Sequence, residues 1–377
     1  MNAVRQGNQK VGKFSRAAIE GFTRIWWLVA ALIASPVSGA SLRLQKVIPM
    51  PGVEGRLDHL TADVVGRRVF VSALENQSIE VIDLERSRQV RHLSGIREPQ
   101  GLLFLPKLNR LLVCSRGDGT CRSLDATRFT EGPWVDVGRN ADNLRLDPAR
   151  KVIYVGSAGE PGDGRMTALD LVSLLPVSEG GRADPPHSPA DFLLDRPRQS
   201  DPVRKLLLPA HPESFQIDFR RHRILVNVPD VHQIVVVNDG GTGLRVEGAW
   251  PVNVGEKNFP MAVDSDGDRL FIACRKPASL VTYDLRDGRF LSSVPCVGDA
   301  DDLYYDADHQ RVLVIGGEGY FDVFSTPALE QTPRRIDRIA TATRARTGLL
   351  IPELRRLVIA APHTGRKPAA LLVFSIE

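Results

Sequence analysis

One short pattern recurs along the chain and limits what it can fold into. Leu60-Thr61-Ala62-Asp63 followed by Arg68-Val69-Phe70-Val71, Leu144-Arg145-Leu146-Asp147 followed by Val152-Ile153-Tyr154-Val155, and Met261-Ala262-Val263-Asp264 followed by Leu270-Phe271-Ile272-Ala273 each read as a strand, a turn and a second strand. A third strand follows in most copies, as in Ile79 to Leu84, Met166 to Leu171 and Leu280 to Leu285, and a fourth such as Gln89 to Leu93 leads into the next copy. With Asp63 as marker, equivalent positions are expected at Pro106, Asp147, Asp218, Asp264, Asp306 and Pro352, a spacing of about 40 to 46 residues with one long gap. The gap contains a stretch near 178–202 rich in Pro, Arg and Asp, read as an inserted loop. Seven units of four strands predict an all-β, seven-bladed β-propeller, a fold in which radial repetition leaves only short, protected sheet edges. The seventh unit runs out after its third strand, Ala370 to Ser375, while a strand over Leu42 to Val47 has no unit of its own. The N-terminal strand is therefore expected to close the last blade.

The second strands Arg68-Val69-Phe70-Val71, Arg110-Leu111-Leu112-Val113 and Arg311-Val312-Leu313-Val314, with the third-strand endings Ile82-Asp83-Leu84 and Leu169-Asp170-Leu171, resemble the YVTN-type β-propeller repeats of exported bacterial proteins. The resemblance covers the chain from about residue 41 onward. It implies the fold; for function it implies binding or scaffolding more than any one reaction. Ser72-Ala73 and Gly156-Ser157 stand where the strict repeat has Thr-Asn.

Composition agrees with this reading. Glycine (32) and proline (26) are plentiful in 377 residues, as frequent turns require, and 42% hydrophobic residues can fill a sizeable core. A net charge of +4 with only 6% aromatics argues against a nucleic-acid groove, which needs a basic track and stacking platforms. The N-terminus carries Arg5, Lys10, Lys13, Arg16 and Arg24, an apolar run from Ile25 to Ala34, and the small residues Ser38-Gly39-Ala40. This is the pattern of a cleavable secretory signal over residues 1–40, cut after Ala40, and the run is too short to span a bilayer. The expected location is periplasmic or secreted, with no membrane span in the mature chain.

Export makes disulfides expected. A turn around Gly117-Asp118 would set Cys114 opposite Cys121, and Cys274 with Cys296 would be the second pair, fastening the Arg275-Lys276 loop beside Asp299 to Asp302. Four buried thiols are the alternative.

The segments entering the inner strands carry the densest polar chemistry: Asp58 and His59, Gln100, Asp142 and Asn143, His211 and Glu213, Asn258, Asp301 and Asp302, and Arg346, with Arg275 on a neighbouring loop. Segments that only packed would be small and apolar, so these twelve residues are the candidate ligand site, for a small molecule or a protein or peptide at the channel mouth. His59, His211 and Glu213 form the candidate metal set. Two imidazoles and a carboxylate suit Zn²⁺, and the oxygen ligands alone would suit Ca²⁺. On that alternative the chain would be a metal-dependent hydrolase or lyase acting on a lactone or ester. Mutual hydrogen bonding among these residues and channel water is the bland alternative, and an assembly scaffold is a further one. His92, His222 and His309 are expected at the periphery, and Trp134 and Trp250 in blade or rim packing.

Overall fold

The computed structural model describes residues 42–158, 162–174, 203–240, 243–326 and 328–377. The proposed signal segment and the inserted loop near 178–202 lie outside them.

Seven antiparallel four-stranded sheets form the blades of one propeller. The inner strands are Leu60–Asp63, Pro99–Leu105, Leu144–Asp147, Phe215–Asp218, Glu256–Asp264, Ala300–Asp306 and Thr347–Ile351. Arg43–Pro49 pairs with Ala370–Ser375 as the fourth strand of the last blade, so the chain closes its own ring. The two ends of the domain are then held by one ladder, and the last blade has the same four strands as the others.

Burial follows the two-residue period of a strand covered on both faces. In Arg68–Ala73, Val69 and Val71 pack into a core shared with Val358 and Leu371 of the last blade, whereas Phe70 faces Leu111 and Val113 of the second. Inner and middle strands are largely buried, and outer strands such as Arg334–Ala340 are mostly exposed. Trp250 belongs to one of these inter-blade cores, beneath the Arg223 guanidinium at 5.2 Å. Trp134 does not pack as expected: it stands on an outer strand, 65% exposed.

The repeat has a physical cause. Asp63 accepts a hydrogen bond from the Gly66 backbone N–H at 2.8 Å and pairs with Arg68 at 2.7 Å, thereby tying the turn to the start of the next strand. Asp264 does the same with Gly267 and Arg269, and Asp306 pairs with Arg311. The register corrects two markers. Leu105 and Ile351, not Pro106 and Pro352, stand opposite the arginine of the following strand. In those blades the proline begins a single 3₁₀ turn that ends on a left-handed residue, Asn109 or Arg355, and replaces the aspartate-held turn.

Cys114 and Cys121 face each other across one hairpin and are disulfide-bonded. Cys274 and Cys296 are buried free thiols, which corrects the expected second bridge. Cys274 pairs with Ser279, and Ser279 in turn with Pro295, so a whole strand lies between the two cysteines. Two inter-strand steps are about 9.5 Å, beyond the roughly 7 Å that a disulfide can span between Cα atoms. Alkylation of the denatured, unreduced protein should therefore label two cysteines by mass spectrometry, and four after reduction. Labelling of none or of four before reduction would contradict this pairing.

Candidate functional site

Seven of the twelve proposed residues converge. Asp58, His59, Asp142, Asn143, Glu213, Asp301 and Asp302 line one pocket at the channel mouth together with Arg56, Ser214 and Phe259, a narrow cavity of about 20 Å³ that opens to solvent. All of them except Arg56 stand four or five residues before the marker of their blade, in the first, third, fourth, fifth and sixth blades. This is where the chain enters the ring, so one sequence position repeated around the fold becomes one layer in space. The second and seventh blades contribute Gln100-Gly101 and Arg346-Thr347 to the same layer.

The charges in this layer are mostly matched to one another. The His59 imidazole N–H (Nε2) donates to Asp142 Oδ1 at 2.7 Å, reaching past the second blade, and lies 3.7 Å from Asp58. Arg56 pairs with Asp58 at 2.7 Å. Asp301 is held by Arg275 at 2.6 Å and by Arg346 at 2.9 Å. Asp302 accepts the Gly348 backbone N–H at 2.8 Å. Arg275 also lies 4.1 Å above the Phe259 ring, which fixes that wall of the pocket.

Burial and crowding displace the proton affinities. Burial pushes Asp58 up to about 6, against the opposing pull of His59 and Arg56. Asp302 rises to about 7 and Glu213 to about 8, both chiefly through burial, with Asp142 and Asp301 adding repulsion at Glu213. At His59 burial works against the charged form, but Asp142, Asp58 and Asp302 outweigh it and raise the imidazole to about 10. Asp142 is correspondingly held low by His59 in spite of its burial. The pocket thus contains an imidazolium–carboxylate pair beside carboxyls that retain protons unusually well, a combination able to donate and accept protons around a small molecule.

Five of the proposed residues take other places. Gln100 is buried, and its backbone oxygen accepts the Ser72 hydroxyl. Asn258 is buried between blades, its amide donating to Asn227 Oδ1 at 3.0 Å. Arg275 and Arg346 act behind the wall, on Asp301 and Asp299. The His211 ring N–H (Nδ1) donates to the Pro212 carbonyl at 2.6 Å. Among the described residues, the metal-ligating atoms that gather within 4.8 Å of one another belong to Asp58, His59 and Asp142; His211 and Glu213 stand outside that group. A cation at that group would have to replace the proton that His59 shares with Asp142, so the donor set is already satisfied internally. At the periphery, His92 pairs with buried Glu80 and His309 with Asp306, and His222 occupies a left-handed turn position.

Arg56, Ser214 and Phe259 were not singled out from sequence, although each lies in an entering segment. Their signal was position in the repeat rather than residue type.

No family model matches the chain, and no curated protein matches it. Solved structures do. One, titled "Kuenenia stuttgartiensis Hydrazine Synthase", is 12% identical with a TM-score of 0.66, over 86% of this chain and 98% of that one. A chain of a mitotic checkpoint complex is 13% identical with a TM-score of 0.65, over 98% and 99%. A functionally unknown protein from Desulfotomaculum acetoxidans is 12% identical with a TM-score of 0.57, over 80% and 88%. At these identities the likeness concerns the propeller fold alone. Among the described residues no helix is long and apolar enough to cross a membrane.

Proposed function

We propose that this chain is an exported propeller of the YVTN type that binds a small polar molecule in its channel-mouth pocket. The observation that carries the reading is the convergence of entering segments from five blades on one concavity lined by buried and half-buried acids with displaced proton affinities. Concave sites of this kind, rather than flat rims, are where small ligands are held. The signal-like N-terminus and the Arg-led second strands support export and the family assignment.

A thermal-shift screen of small polar metabolites tests it. A binder should raise the melting temperature, as any ligand selective for the native state must. Its dissociation constant should weaken about tenfold in Arg56→Gln or Asn143→Ala, a loss of about 1.4 kcal/mol. Binding that ignores both substitutions would refute the pocket.

A second reading, a divalent-metal site at the gathered ligand atoms of Asp58, His59 and Asp142, requires the ion to displace the proton that His59 shares with Asp142. It predicts retained metal in the protein purified without chelator, lost in His59→Ala.

A further inference from the structure

The ligand's chemistry follows from which pocket groups have no partner. Asp58, Asp142, Asp301 and Asp302 are each engaged by a cation or a backbone N–H. The Glu213 carboxyl has neither a hydrogen bond nor an ion pair among the described residues, although it lines the pocket and is half-buried there. Its neighbours are also short of donors. Asn143 donates its amide N–H to the Glu213 carbonyl at 3.2 Å, and among the described residues neither its Oδ1 nor the Ser214 hydroxyl has a partner. Three residues with unspent acceptors therefore line the pocket where the third and fourth blades enter the ring, and Phe259 lines it with them.

We propose that the pocket recognises a primary ammonium group, whose three N–H donors are met by Glu213, Ser214 Oγ and Asn143 Oδ1 while the attached carbon chain lies along Phe259. An ammonium carries three donors and no acceptor, which is the complement of this set. A bare divalent cation fits less well, because the carboxylate oxygens of Glu213 are not gathered with two other ionisable ligands as those of Asp58 and Asp142 are. Glu213 holds its proton up to about 8 in the empty pocket, and an ammonium group beside it would draw it into the ionised form; the one group of the lining that would favour an anion instead is Arg56, whose Nε has no acceptor among the described residues. The inference rests on the binding reading above and adds the class of ligand.

Three matched probes of one carbon skeleton decide it: n-propylammonium, 1-propanol and propionate, titrated into the mature protein and followed by NMR shift changes. The ammonium should bind at least tenfold tighter than the alcohol, and propionate should not bind. Glu213→Gln, which keeps the side chain's shape, should weaken the ammonium at least tenfold and leave the alcohol unchanged. Ser214→Ala should weaken it about threefold and guards against misfolding of the first variant. Equal binding of ammonium and alcohol, or ammonium affinity that survives both substitutions, overturns the ammonium assignment. If another small molecule then binds in a manner sensitive to Arg56→Gln, the pocket stands and only its ligand class fails. If nothing binds, both readings fall.

Discussion

Replacing Gly101 by alanine should lower the melting temperature by about 3 to 5 °C and disorganise the channel mouth. A Cβ at this position would lie 1.8 Å from the Asp142 carbonyl oxygen and 2.2 Å from Leu144 Cδ1. The first of these contacts is backbone, so no side-chain rotation relieves it, and the inner strand of the third blade must move. Overpacking of this kind costs about 1 to 3 kcal/mol, and a backbone obstruction belongs at the upper end. In a domain this large, whose unfolding entropy grows with chain length, that corresponds to roughly 1.5 °C per kcal/mol. The displaced residue is the one whose carboxylate pairs with His59 at 2.7 Å, so the damage reaches the site. Gly248→Ala, in open space on an outer strand, is the control and should leave the protein unchanged. A Gly101→Ala protein that melts with the wild type, and whose His59 ring resonances are unmoved, would show that the close approach is not a constraint.

That glycine also marks how far the sequence could be read. The blade count and ring closure were legible because an aspartate and an arginine five residues later perform the same local task in several blades, as Asp63 with Arg68 and Asp264 with Arg269 do. Where Pro106 and Pro352 build a different turn, the marker slipped by one residue, and only the strand register restores it. The site layer was legible for the same reason: identical offsets from a repeated marker become neighbours around an axis. What pairs with what inside that layer was not. His59 meets Asp142 rather than His211, because contacts across the channel depend on side-chain length and on which blade supplies a glycine, and no repeat spacing encodes either. Phe259 escaped notice because an apolar residue in a polar segment carries no chemical signal until Arg275 is seen stacked on it. The second cysteine pair was misjudged because closeness to one face ignores the strand between them.

The folded protein should be most stable near pH 4 and lose stability steadily toward pH 9, the reverse of a domain whose acids are all held by ion pairs. The sign comes from comparing proton uptake in the folded and unfolded chains. An acid raised by folding keeps its proton in the native state over a range where the unfolded chain has released it, so stability falls across that range as pH rises. For Asp58 the range runs from its ordinary 3.8 to about 6, for Asp302 from 3.8 to about 7, and for Glu213 from 4.5 to about 8. His59 acts in the same direction: its favourable pairing is fully present below its ordinary 6.5 and disappears as pH passes its folded value of about 10. The acid limb has the opposite origin. Asp142 is held low by His59, and Asp284 falls to about 2 through Arg286, so their contributions exist above 3.8 and vanish as pH drops through the folded values. Each tenfold change in proton affinity is worth about 1.4 kcal/mol. Asp302→Asn, which can still accept the Gly348 N–H, should therefore recover up to about 4 kcal/mol at pH 8 and almost nothing at pH 4, and Glu213→Gln should behave likewise with its gain beginning nearer pH 5. Because a propeller can unfold in more than one step, the comparison is best made as melting temperature against pH for all three proteins. A wild-type profile that is flat between pH 5 and 9, or a decline that both substitutions leave untouched, would mean that the pocket acids are solvated and that the mouth of the channel is wetter than its packing implies.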